Sequence, residues 1–237
     1  MDATAYVTLS RQSGLMNEMR IIANNIANSG TTGFRQEGIV FSEYIKSAAH
    51  QSSLSMSRAQ VRNTSMEQGT LTQTNGSFDF AIEGDGFFLI ETPAGERLTR
   101  AGSFTPNANG DLVTPDGHPV LGAGGAPVFV PPGTQIAVAA DGTLSADGQP
   151  LGQVGIYLPS DPLDMQRQDG VMFETTGGVE PADDARLLQG FLEGSNVNPM
   201  LQITRMVEVQ RAYEMGQSFL QAEDERVRMA IKTLIRT

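Results

Sequence analysis

The sequence predicts an α+β protein: helical N- and C-terminal segments enclosing an all-β domain of short strands and hairpins. Three observations carry that expectation. Apolar residues near the start recur at spacings of four and three, and those near the end recur every seven, both the periods of a helix packed along one seam. Between them the period falls to two and glycine-rich turns crowd the chain, as in a domain of strands. The boundaries read as 1–34 for the first helix and its motif, 35–75 for an extended connector, 76–180 for the β domain, and 181–237 for a return segment and the last helix.

In the first helix, Leu15, Met19, Ile22 and Ile26 form the narrow seam. Asn24, Asn25 and Asn28 sit around its end, although asparagine weakens a helix by bonding nearby backbone through its side chain. Gly30 is the expected stop, because glycine tolerates the positive φ of a helix C-cap. On pattern alone this is an amphipathic helix fraying into a loop.

The stretch QEGIVFSEYIKSAAHQSSLSMSRAQ (36–60) is polar and irregular, and reads as an extended connector with one short helix. From Gly76 the alternation begins. Phe78, Phe80 and Ile82 share one face, GDG at 84–86 makes a hairpin turn, and Phe87, Phe88, Leu89 and Ile90 form a buried strand. NGDLVTPDGHPVLG (109–122) and DGTLSADGQPLG (141–152) are a weak internal repeat. Each predicts a hairpin, at Asp116-Gly117 and Asp147-Gly148, residue pairs that accept the backbone of tight turns.

At the C-terminus, Asn198-Pro199 reads as a cap followed by proline at the first helical position. Met206, Tyr213, Leu220, Val227 and Leu234 then repeat every seven residues. Val209, Gly216 and Ala230 at the companion position are small or apolar, whereas Glu223 is not. Such a helix either lies on the core of the β domain or packs elsewhere. A helix from 199 to 235 is about 55 Å long at 1.5 Å per residue, longer than a compact domain of this size can cover.

Composition removes several classes of function. The 237 residues carry a net charge of −11 with no basic cluster, which argues against nucleic acid, since that partner demands a concentrated cationic footprint. There is no cysteine, hence no disulfide, thiolate metal site or cysteine nucleophile. The start, MDATAYVTLSRQSGL, has neither the basic nor the apolar region of a secretory signal peptide, and no stretch has the ~20 apolar residues of a membrane span.

Catalytic candidates each have a better structural explanation. GDG lacks the third glycine of a dinucleotide fold. NANGD (107–111) is followed by Leu112 and has His118 where a calcium loop places its glycine and bidentate glutamate. His50 and His118 are the only histidines, too few for a zinc site without thiols. Ser77, Ser103 and Ser195 follow glycines outside any G-x-S-x-G, and Asp183-Asp184 reads as a solvated turn. No enzyme activity and no cofactor are expected.

ANNIANSGTTGFR (23–35) together with LEGSNVNPMLQITRMVEVQRAYE (192–214) resembles the paired signature of the bacterial flagellar basal-body rod family, the rod and hook axial proteins. FAIEGDGFFLI and RLTRAGSFTPNANGDLVTPDGHPVLG resemble that family's middle motifs. The opening MDATAYVTLSRQSGLMNEM and the modest length are similar to the proximal-rod branch. Distal-rod members are usually longer, with a Gln-Gln pair in the first helix and two acids soon after SNVN; here Leu201-Gln202 follow Pro199, yet QRAYE (210–214) is as typical of the distal relatives.

The resemblance implies a non-enzymatic subunit, exported unfolded through the flagellar type III apparatus without a cleaved leader and polymerised with copies of itself and other rod proteins in the periplasm-spanning axle. It implies that the N- and C-terminal helices make one discontinuous, coiled-coil-like domain enclosing the β domain, and it implies no membrane insertion. Subunit contacts are then expected at Leu15, Met19, Ile22, Ile26, Met206, Tyr213, Leu220, Val227 and Leu234, with Asn24, Asn25 and Asn28 giving directional amide contacts where further isoleucines would pack in any register. A secreted β-domain adhesin on a helical stalk is the alternative from another class, and a carboxylate hydrolase, which demands a pocket of paired acids, a third.

Overall fold

The computed structural model describes residues 2–46, 54–182 and 184–235. The chain opens with helix α1 (Asp2–Ala27), followed by strands β1 (Glu37–Lys46), β2 (Leu54–Thr64), β3 (Leu71–Gln73), β4 (Phe80–Glu83), β5 (Phe87–Thr92) and β6 (Gly95–Thr99). Next come β7 (Thr105–Pro106), β8 (Leu112–Val113), β9 (Ile136–Val138), β10 (Thr143–Ala146), β11 (Gln149–Gln153) and β12 (Ile156–Pro159). After a single 3₁₀ turn at Pro162–Asp164, the chain ends with β13 (Gln166–Asp169), β14 (Met172–Glu174), β15 (Val179–Pro181), β16 (Arg186–Gln189), β17 (Phe191–Glu193) and helix α2 (Pro199–Ile235). This is a mixed α+β chain of antiparallel short strands with a long C-terminal helix.

Two compact units divide it. One comprises 1–27, 37–63 and 198–237, and the other 28–36 and 64–197. The first holds α1, the β1–β2 pair and α2. The second holds a six-stranded sheet in the order β13-β14-β6-β5-β12-β15, a three-stranded β11-β10-β9 sheet and the two-stranded pairs β16-β4, β17-β3 and β7-β8. Strand β5 is buried on both faces, as its unbroken apolar run requires. Phe88 and Ile90 join a core with Phe80, Ile82, Leu112 and Leu144, while Phe87 and Leu89 face a second core with Leu98, Tyr157 and Phe173. Phe78 packs on the first core beside Phe80 and Ile82, so the three share a face as their spacing predicts.

The turn chemistry is partly as expected. Asp147 and Gly148 take φ of 49° and 80° between β10 and β11, the doubly positive φ of the tightest hairpins. Gly117 has φ 86° in a turn closed by a bridge between Val113 and Pro119.

Three expectations are corrected. The GDG turn does not make a hairpin, because β4 pairs with β16 whereas β5 pairs with β6 and β12. Gly84 and Gly86, at φ 99° and 133°, instead redirect the chain between two sheets. Residues 36–60 hold no helix among the described residues; β1 and β2 pair there, and His50 lies outside the described residues. Nor is Gly30 the positive-φ residue after α1. That role falls to Gly33, at φ 70°, whose added Cβ would lie 2.2 Å from the backbone nitrogen of Ala101.

The NANGD turn is shaped internally: Asn107 Oδ1 accepts from the backbone nitrogens of Asn109 and Asp111 at 2.8 and 2.9 Å. No described helix is long and apolar enough to cross a membrane.

Candidate assembly interface

In the first unit, α1 and α2 run antiparallel. Gln12 Nε2 donates to the Tyr213 carbonyl at 3.1 Å, Glu18 Oε1 meets Arg205 at 2.8 Å, and Asn25 Nδ2 reaches Gln202 Oε1 at 3.4 Å; α1 numbers rise as α2 numbers fall. Ala212 aside, the residues of α2 shielded from solvent are Gln202, Met206, Val209, Tyr213, Gly216, Leu220, Glu223 and Val227. Their alternating four-and-three spacing is that of a coiled-coil seam. Gly216 is the close point: a Cβ there would lie 2.7 Å from Gln12 Nε2. Gly216 thus costs ~1 kcal/mol of helix propensity relative to alanine and admits the side chain of α1.

Asn25 explains much of the asparagine cluster. It is 1% exposed, its Nδ2 donates to the Glu37 carbonyl at 2.8 Å, and its Oδ1 accepts from the Glu37 nitrogen at 3.0 Å. One side chain therefore satisfies both backbone groups at the first residue of β1, which isoleucine cannot do. Asn28 Oδ1 accepts from the Thr31 hydroxyl and its carbonyl from the Thr31 nitrogen, each at 3.1 Å, closing the turn after α1. Asn24 is exposed. At the start of α2, Asn198 Oδ1 accepts from the nitrogens of Met200 and Leu201 at 3.1 and 3.2 Å, the N-cap the sequence predicts.

The helix pair keeps an apolar outer surface. A groove of about 780 Å³ runs between the helices, lined by Leu9, Met16, Met19 and Ala23 of α1 with Met206 and Tyr213 of α2. Leu9, Gln12, Met16, Met19 and Ala23 repeat at three and four, a second heptad stripe that the sequence reading missed because it is short and interrupted by Gln12. Leu9 is 56% and Met16 51% exposed. On α2, Met200, Val207, Met215, Phe219 and Met229 are also exposed.

The second unit has a charged centre. Glu193, from the LEGSN motif, is buried with Arg35 of GTTGFR and Arg100 of LTRAG, each guanidinium 3.0 Å from one of its oxygens. Oε1 also accepts the Gly69 nitrogen at 2.9 Å. The Arg35 contact is an ion pair without hydrogen-bond alignment, and Arg35 Nη1 donates instead to the Met66 carbonyl at 3.3 Å. Arg100 donates to the carbonyls of Ile82 and Gly84. Burial pushes Arg100 down to about 10 against the pull of Glu193, and lowers Arg35 for the same reason. Arg167 stacks between Phe34 and Phe173, 4.2 and 4.6 Å from their ring centres, and donates to the Arg35 carbonyl at 2.5 Å.

Backbone bonds complete a strap that fixes 28–36 onto the strands. Gly33 donates to the Glu193 carbonyl at 2.8 Å, Asn196 to that of Phe34 at 3.3 Å, and Ser65 to that of Gln36 at 2.8 Å. Asn196 Oδ1 accepts the Gln36 nitrogen at 2.6 Å.

Among the residues expected at contacts, Ile22 and Asn25 are buried within the chain; Leu15, Met19, Ile26, Asn28, Met206, Tyr213, Leu220 and Val227 are half-buried; and Asn24 and Leu234 are exposed. Gln12, Gln202, Arg35, Arg100 and Glu193 were not singled out from the sequence. Their signal lay in polar residues at seam positions and in charged residues inside the quoted motifs.

Paired terminal helices with exposed apolar stripes in one unit, and strands bound by a strap in the other, have the build of an assembly subunit. Comparison with known proteins gives the family. Residues 6–35 match the family model "Flagella basal body rod protein". Residues 81–146 match "Flagellar hook protein FlgE/F/G D1 domain" and 188–233 match "Flagellar basal body rod FlgEFG protein C-terminal".

Flagellar basal-body rod protein FlgF of Mesorhizobium japonicum is 40% identical, over 99% of this chain and 98% of its own. FlgF of Caulobacter vibrioides is 39% identical over the same shares, and FlgG of Bacillus subtilis 31% over 93% and 94%. The chain belongs to the flagellar basal-body rod proteins, of the FlgF type.

Proposed function

We propose that the chain is a structural subunit of the proximal rod of the bacterial flagellar basal body, assembling with copies of itself and with other rod proteins into the axle that carries torque from motor to hook. The reading is supported above all by one observation: the two terminal segments that match the family models, 6–35 and 188–233, meet each other twice. They meet as the α1–α2 pair within one unit and as the Arg35–Glu193 strap within the other. On this reading the pair is a discontinuous helical domain enclosing the β domain in sequence, with the exposed Asn24 and Leu234 turned to neighbouring subunits and the other contact residues named from sequence packing within the chain.

The subunit passes through the flagellar type III export apparatus unfolded, acts in the periplasm-spanning rod without membrane insertion, and performs no catalysis. Deleting the gene and imaging basal bodies tests this reading. Growth is expected to stop at the proximal rod, and an intact, motile flagellum in the deletion strain overturns the proposal.

A further inference from the structure

We propose that Asn75 and Gly76 form a self-modification site in the β unit: the Gly76 nitrogen attacks the Asn75 side-chain amide, closing a succinimide that water opens to aspartate or isoaspartate. The site does not depend on the rod-subunit reading.

The sequence holds two Asn-Gly pairs, Asn75-Gly76 and Asn109-Gly110. In both, the residue after asparagine has no side chain to hinder its nitrogen, so the sequence alone makes them equal. The structure separates them.

Asn75 is exposed and takes φ of 59°, a left-handed backbone that asparagine adopts more readily than most residues. The three parts of an amide attack surround it. The nucleophile, the Gly76 nitrogen, donates to Thr74 Oγ1 at 3.3 Å. The Thr74 hydroxyl donates in turn to Asp79 Oδ2 at 2.7 Å, so a proton leaving Gly76 has a path through the hydroxyl to a carboxylate, as a base-assisted nucleophile requires. At the electrophile, Gln73 Nε2 donates to Asn75 Oδ1 at 2.9 Å, the oxygen on which negative charge grows as the nitrogen attacks.

The backbone holds these groups in place. Thr74 and Asn75 nitrogens both donate to the Gly190 carbonyl, at 2.8 and 3.0 Å, and the Gly190 nitrogen donates to the Asp79 carbonyl at 2.7 Å. A Cβ at position 76 would collide with the Asp79 carboxylate, so glycine is what lets that carboxylate stand so near the attacking residue. At the other pair Asn109 is also exposed, but Gly110 is buried. Its nitrogen donates to the Asn107 carbonyl at 3.0 Å, an acceptor with no proton to pass on.

In the step itself the bond from Gly76 N to Asn75 Cγ forms and the bond from Cγ to Nδ2 breaks. The proton of Gly76 passes to Thr74 Oγ1 as the hydroxyl gives its own to Asp79, and Nδ2 takes one proton back to leave as ammonia. Water, the one co-reactant, then adds to either imide carbonyl. The product places a new carboxylate beside Asp79, and the isoaspartate form lengthens the backbone by one methylene at the turn that is bonded to Gly190.

The purified full-length chain is held at pH 7, sampled at intervals and digested, and the two Asn-Gly peptides are followed by mass spectrometry for loss of ammonia and for aspartate and isoaspartate. Asn75 is expected to convert about tenfold or more faster than Asn109 in the folded chain, and the two rates to converge in urea, where the relay is gone. A positioned base contributes ~10²–10⁴ to such a step, so Thr74→Val and Asp79→Asn are each expected to slow Asn75 by about tenfold or more. Thr74→Ser, which keeps the hydroxyl, is expected to keep the rate, a rescue that a merely structural role for the side chain would not require. Asn109 serves as the internal reference for unfolding in every variant.

Equal rates at the two sites in the folded wild-type chain overturn the proposal, as does a folded Thr74→Val or Asp79→Asn chain that converts Asn75 at the wild-type rate. A variant in which Asn109 rises to its rate in urea has unfolded, and the wild-type comparison of the two sites, folded against urea, then decides.

Discussion

Glu193 is one carboxylate facing two guanidinium groups, all three about 1% exposed, and it joins three separate motifs. Removing one partner of a buried pair leaves an uncompensated charge, at a cost of ~3–5 kcal/mol. Glu193→Gln is therefore expected to lower the stability of the β unit by that amount, read as a fall in its urea midpoint with an unchanged slope. Gly33→Ala is expected to act on the same strap by sterics. Its φ of 70° and the 2.2 Å approach to Ala101 leave a methyl group no room, since both obstacles are backbone. The expected result is loss of amide protection at Phe34 and Asn196 in hydrogen exchange, and wild-type protection there in the variant would contradict it. At this scale the sequence was legible where chemistry is local. Asn198 announces a cap and Asp147-Gly148 a turn through their own backbone preferences. Glu193 could not be read as a partner of Arg35, because a pairing between residues 158 positions apart has no local signature.

Among the elements, the two Asp-Gly turns follow from their residues and both long helices from periodicity, whereas β1–β2 and the pairings of β3 with β17 and β4 with β16 do not. The first is masked by a polar, serine-rich composition. The others join strands of three or four residues that are more than 100 positions apart in the chain, a pairing with no local signature. The loop between β14 and β15, held by Asp164 of the 3₁₀ turn, shows how such connections are fixed. Asp164 accepts from the Thr176 hydroxyl and from the nitrogens of Thr176 and Gly177, and these bonds, the hydroxyl first, hold its carboxyl below the usual value. Because the folded value is depressed, the contribution is complete above the ordinary carboxylate pKa near 3.9 and fades as pH falls through the lower folded value. Amide exchange at Thr176 and Gly177 should quicken below that pH, and Asp164→Asn should give the quickened exchange already at pH 7.

Across the whole molecule, the two units should respond separately to damage. Val227→Asp charges the α2 seam within the helical unit, and is expected to abolish motility while the β unit still melts cooperatively at its original temperature. Simultaneous loss of both would mean that α2 belongs to the β core.

The antiparallel pairing of α1 with α2 has a topological consequence as well. It closes residues 28–198 into a loop whose ends are fixed at the helix pair, and the entropy of closing a loop grows only with the logarithm of its length, about 0.6 kcal/mol for each doubling. A folded guest inserted at the exposed Gly124-Gly125 turn, where added atoms meet nothing within 4 Å, should leave the Gln12–Tyr213 register untouched. The length of the middle is in this sense a free variable, open to growth by insertion while the ends that define the pair stay the same.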